Sequence, residues 1–123
     1  MARRPQTNSQ SLVELFLDML AAERGASVNT LDAYRHDLTD FAADLAAAGT
    51  DIAVADSDAL RAHLGRLTRR GLASTTTARR LSAVRQLYRF LYSEGHRSDD
   101  PAAVIEGPKR GRSLPKVLSI KQV

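Results

Sequence analysis

Read for apolar and polar positions alone, the chain divides into four stretches in which apolar residues recur every three or four positions, each closed by a glycine. Leu12, Leu15, Phe16, Met19 and Leu20 form the first stripe. They predict a helix over about residues 11–24, opened by a capping box of Ser11 and Glu14 and stopped at Gly25. Leu31, Tyr34, Leu38, Phe41, Leu45 and Ala48 predict a second helix, starting near Ser27 or Asn29 and ending before Gly49. Leu60, Leu64 and Leu67 predict a third over about residues 57–70, with Ser57 as cap, Asp58 in the first turn and Gly71 as stop. Leu81, Val84, Leu87, Tyr88 and Leu91 fall on one arc of a fourth, Ser74 to Tyr92, ended by Gly95.

The intervals between stripes carry their own signals. Met1 to Gln10 is polar, basic at Arg3 and Arg4, and reads as a disordered tail. Thr50 to Asp56 is a loop with two apolar anchors, Ile52 and Val54. Asp100-Pro101 starts one short turn, with Asp as cap and Pro at the first helical position. Residues 11–106 thus read as one all-α, four-helix domain. Residues 107–123 read as a basic linker, followed by the entry to something the chain does not contain.

Composition narrows the class. In 123 residues β-branched runs are nearly absent, which argues against a sheet. The lack of cysteine excludes disulfides, thiolate metal sites and a cysteine nucleophile. No apolar run approaches a membrane span, so no membrane partner is expected and the expected setting is the cytoplasm. Charge is split along the chain. Glu14 to Asp58 holds ten acids against two bases, and Arg61 to Arg97 holds nine arginines against one acid. Arginine without lysine suits bidentate contact with phosphate or guanine. The split points to nucleic acid on the basic side, or to the two halves pairing across a bundle.

The fourth helix concentrates the chemistry. Opposite its leucine arc run Thr75, Arg79, Ser82, Gln86 and Arg89, flanked by Arg85. Its first turn, Ser74 to Thr77, has no acid, so hydroxyls, free N–H groups, Arg79 and Arg80 could hold a phosphate. The plainer alternative is that Ser74 caps the helix and the threonines are solvated. Arg80 projects into the apolar arc. It either emerges beyond its neighbours or is buried and needs a carboxylate such as Asp37 or Asp44. Asp37, Asp40 and Asp44 line one flank of the second helix, but a stripe on one helix does not converge on a cation. They read as a solvated or arginine-paired face. His36, His63 and His96 have no ligand spacing. No catalytic grouping or phosphate loop is legible, and no cofactor or metal is expected.

The segments SVNTLDAYRHDLTDF, TTTARRLSAVRQLYRFLYSEG, DDPA and LPKVLS occur in this order. Together they resemble the N-terminal core-binding domain of Xer-type tyrosine recombinases, over Ser11 to Val123. The resemblance implies an orthogonal, SAM-like four-helix domain that clamps one side of a recombination half-site. A C-terminal catalytic domain clamps the other side, and the second and fourth helices face the major groove. Carried over by position, the contact candidates are Ser27, Asn29, Thr30 and Arg35 on the second helix. On the fourth they are Thr75, Thr76, Thr77, Arg79, Arg80, Ser82, Arg85 and Gln86. Lys109, Arg110 and Arg112 of the linker are expected to touch phosphates. Tyr34 matches a family tyrosine, although its apolar face favours core packing.

The resemblance further implies double-stranded DNA as partner, and a partner recombinase or copies of the chain in a synaptic tetramer. The family's catalytic arginines, lysine, histidines and nucleophilic tyrosine lie in a domain that would begin near Leu114. The chain is therefore expected to bind DNA and not to cut it, within a parent that breaks and rejoins DNA in chromosome dimer resolution or integration. Contact with about six phosphates would make affinity fall roughly a thousandfold from low to moderate salt. The alternatives are a helical protein-interaction module and a helix-turn-helix regulator. The reading expects the arginine side of the fourth helix to face outward. Guanidiniums tucked against the aspartates of the second helix, with no open basic groove, would overturn it.

Overall fold

Four helices account for the regular structure among residues 5–105, which are the residues the computed structural model describes, with side chains from Ser9 onward. They are α1 (Pro5–Glu23), α2 (Val28–Ala47), α3 (Ser57–Arg69) and α4 (Ser74–Ser93). The tail Met1 to Arg4 and the linker with Lys109, Arg110 and Arg112 lie outside the described residues. α2 and α4 each pack against the other three helices, while α1 and α3 flank them.

The predicted stripes of α2, α3 and α4 become the core. Leu38, Phe41 and Leu45 of α2 are fully buried with Leu87, Tyr88 and Leu91 of α4, and Leu60 and Leu67 of α3 are buried too. Each such side chain contributes about 1.5–3 kcal/mol of transfer free energy. All four closing glycines have positive φ. At Gly49 (φ 88°) the need is plain. Thr50 N–H bonds Leu45 O at 2.9 Å and Gly49 N–H bonds Ala46 O at 3.0 Å, a paired closure that requires a left-handed residue between them.

α1 departs from expectation in two ways. It begins at Pro5, not Ser11, so part of the expected disordered tail is helical and Ser11 with Glu14 is not its N-terminal box. Ser9 is buried and its Oγ accepts the Ile52 N–H at 3.2 Å, a contact across 43 residues that no local pattern reveals. The buried stripe also turns: Val13, Phe16, Leu17 and Leu20 are buried, while Leu15 is 44% exposed. α1 is apolar around much of its girth, and packing against both α2 and α4 selects a different arc.

The loops hold smaller corrections. Ile52 is buried as expected, but Val54 is 67% exposed and Ala55 takes the inner position. Asp56, not Ser57, caps α3 through the Ala59 N–H at 2.9 Å. Ser57 Oγ instead donates to Pro101 O at 2.8 Å. That bond helps hold the segment after α4, where Asp100 Oδ1 caps the expected turn at Ala102 N–H and Ala102 and Ile105 enter the core. Arg97 braces the same region, lying 5.2 Å over the Tyr88 ring and donating to Ile52 O at 2.9 Å.

Candidate nucleic-acid interface

The acidic stripe of α2 meets the basic residues of α3 and α4 inside the molecule. Asp37, Asp40 and Asp44 follow one another at i, i+3 and i+7, one line along a helix. Asp37, 1% exposed, accepts Arg79 Nε at 3.0 Å and Nη2 at 2.9 Å, a two-pronged pair, with Arg80 Nε at 3.5 Å. Asp40 Oδ2 accepts Arg80 Nη1 at 2.6 Å and Arg70 Nη1 at 3.1 Å. Asp44 accepts Arg66 Nε at 2.9 Å and His63 Nδ1 at 2.6 Å. The aspartate face is thus arginine-paired, and Arg80 is the buried guanidinium: Nη1 bonds Asp40, while Nε lies 3.5 Å from Asp37 without a hydrogen bond.

The titration behaviour follows from this packing. Burial alone would raise Asp40 and Asp44. Hydrogen bonds outweigh it, from Arg70 and Arg80 to Asp40 and from Arg66 and His63 to Asp44, and hold both carboxyls below their ordinary range. Burial pushes His63 below its ordinary value, against the pull of Asp44, so the ring is neutral at neutral pH and donates to Asp44. The bond from Asp37 raises Arg79 further above a range that is already always charged.

The outward orientation expected for the arginines therefore needs correcting. Arg80 is buried and Thr77 is 5% exposed, so neither can meet a ligand at the surface. Arg79 is committed along one edge, but its side chain remains 49% exposed. Arg85 donates to the Ile105 carbonyl and fastens the segment after α4. Arg35 is paired with Glu14 of α1 at 2.9 Å, away from the α4 stripe. The lateral pairing of acidic and basic halves has absorbed much of the charge split.

What stays at the surface is nevertheless one continuous polar face. Gln86 Nε2 donates to Tyr34 Oη at 3.1 Å and to Ser82 Oγ at 3.2 Å. Its Oε1 accepts Arg24 Nη1 at 3.4 Å. Tyr34 meets Gln86 while Asp37 meets Arg79, so the Ser27–Thr30–Tyr34–Asp37 line of α2 runs antiparallel to Arg79–Ser82–Gln86 of α4. Tyr34 itself is half-buried and stacks on Phe16, with ring centroids 6.4 Å apart, so it serves core and surface together. Ser27 caps α2 through the Thr30 N–H at 3.1 Å, and Asn29 and Thr30 are exposed. Thr75 is exposed and Thr76 half-buried at the start of α4, where Ala73 stands at the cap position and offers no side-chain hydrogen bond. Ser74 is therefore not the cap.

Among the described residues Arg24, Arg69, Arg85 and Arg89 have no carboxylate within ion-pair distance. Arg24 and Arg89 line a groove of about 200 Å³ with Met19 and Phe90 between α1 and α4. Sequence reasoning did not place Arg24 on this face, because its position relative to α4 depends on how α1 packs. No group of His, Asp and Glu among the described residues is arranged to hold a metal ion. None of the helices is long and apolar enough to cross a membrane.

Fold and face define a small all-α domain whose two central helices share a polar, arginine-bearing surface. A family model described as the phage integrase N-terminal SAM-like domain matches residues 13–95. The chain belongs to this family. It is 58% identical over 120 residues to the tyrosine recombinase XerD of Bradyrhizobium diazoefficiens, covering 98% of this chain and 38% of that protein. It is 49% identical over 115 residues to the XerD of Rhizobium meliloti, covering 94% of this chain and 37% of the relative. With the XerD of Caulobacter vibrioides it shares 44% identity over 117 residues, 95% of this chain and 38% of that one. The chain thus spans a little over a third of the length of these relatives.

Proposed function

We propose that the domain binds one flank of a recombination half-site in duplex DNA, through the face shared by the N-terminal half of α2 and the outer side of α4. The observation that carries this reading is the hydrogen-bonded band of Arg24, Gln86, Tyr34 and Ser82, extended by the half-exposed Arg79 and by Arg89. These are the donors and acceptors that meet phosphates and base edges in a groove. Ser27, Asn29, Thr30, Thr75 and Thr76 border the band, and the uncapped N–H groups opening α4 suit a phosphate. Thr77, Arg80 and Arg35 take no direct part in this reading.

At the level of the whole protein, the reading is a site-specific tyrosine recombinase acting in chromosome dimer resolution or integration. Its partners would be DNA and a second recombinase, or copies of itself, in a synaptic tetramer. The similarity to tyrosine recombinases XerD supports this.

A salt titration of duplex binding tests it. If Arg24, Arg85 and Arg89 each neutralise one phosphate, affinity should fall about fortyfold between 50 and 200 mM salt. Absence of salt-dependent binding at the lowest salt would reject the reading. It would favour a protein-interaction module, which the internal neutralisation of Arg66, Arg70, Arg79 and Arg80 otherwise supports.

A further inference from the structure

Arg79 and Asp37 pair a half-exposed guanidinium with a carboxylate that clamps it from below and is 1% exposed. The clamp uses Nε and Nη2, bonded at 3.0 and 2.9 Å to the two oxygens of Asp37. A guanidinium has five N–H donors, and this geometry spends two of them on one edge. The donors of Nη1 and the second donor of Nη2 remain on the opposite edge. Clamping fixes the plane of the group and removes rotamer freedom before any ligand arrives.

The carboxylate also decides what the free edge can recognise. A phosphate is attracted by net charge, and Asp37 cancels much of the charge of Arg79 while repelling a second anion. The O6 and N7 acceptors of guanine carry no net charge and require two aligned donors. Clamping keeps the donors and their alignment and discards the charge. It therefore favours a base edge over the backbone. The remaining arginines of the face, Arg24 and Arg89, form no ion pair among the described residues, although Glu23 and Glu94 line the same groove, and keep the net charge that suits phosphates.

We infer that Arg79 reads a guanine in the major groove through its free edge, and that Asp37 is the positioning residue that aims it. This rests on the DNA-binding reading above and gives that reading a specificity determinant. Asp37 touches no DNA in this arrangement.

The experiment uses the 123-residue chain and a duplex library randomised over a half-site, with bound sequences recovered at moderate salt. The wild type should enrich guanine at one position, and 7-deazaguanine there, which lacks the N7 acceptor, should weaken binding about tenfold. Arg79→Lys should lose the guanine preference and become indifferent to 7-deazaguanine, weakening binding to the guanine-bearing site about tenfold more than binding to mixed-sequence DNA. Asp37→Asn should relax the same position and steepen the salt slope by about one, because Arg79 regains its charge. Should Asp37→Asn fail to fold, Arg79→Lys and the modified base decide alone. Uniform weakening of Arg79→Lys on every sequence, or a guanine preference that survives it, overturns the inference and leaves DNA binding standing. A wild type that binds no duplex overturns both.

Discussion

The phenol of Tyr88 donates to the carbonyl of Ile52 at 2.9 Å, and the same carbonyl accepts Arg97 Nη1 at 2.9 Å. Tyr88 of α4 and Arg97 of the segment beyond it thus converge on one oxygen of the α2–α3 loop. Burial drives the Tyr88 hydroxyl well above its ordinary titration range, so it stays a donor at any pH at which the fold survives.

Because the Ile52 carbonyl has two donors, removing one does not orphan it. Tyr88→Phe should cost only about 1 kcal/mol, the net worth of one hydrogen bond. Combining it with Arg97→Ala leaves the carbonyl without either donor. The double variant should lose about 1 kcal/mol more than the sum of the single ones, as measured by urea unfolding.

Ser9 is the only side chain found to bond the Ile52 amide among the described residues. Ser9→Ala strands a buried N–H and should cost about 1–3 kcal/mol, or a melting temperature lower by roughly 4–15 °C. No measurable change would mean that the first turns of α1 do not dock on the loop.

The α1 N-terminus shows why part of the fold could not be read from sequence. Pro5 to Gln10 lacks an apolar repeat, and its helix is held by the contact between Ser9 and Ile52, remote along the chain. The ends of α2 and α4 were legible because Gly49 and Gly95 mark them chemically. At Gly95 the closure repeats, with His96 N–H on Leu91 O at 2.8 Å. The site was legible as a list of residue types and not as an arrangement. The sequence directs Arg80 to a carboxylate such as Asp37 or Asp44; Asp37 takes part and Asp44 does not. That Asp40 supplies the shorter contact, and that Arg79 turns inward as well, depends on helix register, which no single-helix projection contains.

Acid should destabilise the fold in two stages. His63 binds its proton more weakly folded than unfolded, so stability is lost as pH falls below its ordinary 6.5 toward the lower folded value. Asp40 and Asp44 are also depressed, so their contribution is present above their ordinary 3.8 and disappears as pH drops through the folded values. Urea midpoints at pH 7.5, 5.5 and 4 should decline in that order. His63→Phe should flatten the first interval alone. A wild-type midpoint equal at pH 7.5 and 5.5 would contradict the assignment.

Two ion pairs should differ sharply in weight. Glu14 and Arg35 are 42% and 46% exposed, so Glu14→Gln should cost at most about 0.5 kcal/mol. Asp37→Ala removes a buried carboxylate, but Arg80 keeps Asp40 and Arg79 can turn to water. Its cost should lie near 2 kcal/mol, below the 3–5 typical when a buried charge is abandoned. A double-mutant cycle in denaturant measures both.

The segment with Lys109, Arg110 and Arg112 gives a separate prediction for DNA. Three further phosphates would bring the total to about six and the salt effect to roughly a thousandfold between 50 and 200 mM. Replacing these three by alanine should return the dependence to about fortyfold. An unchanged slope would leave the segment without phosphate contacts.

Asp40 answers to Arg70, the residue that caps the C-terminus of α3, and to Arg80 of α4 with a single oxygen. α3 has only 13 residues, about the length at which an isolated helix is marginal in water. Tying it through that oxygen to the two longest neighbours makes its opening inseparable from theirs. Amide protons of α3 should then exchange with solvent at the same free energy as those in the middle of α4, as one cooperative block.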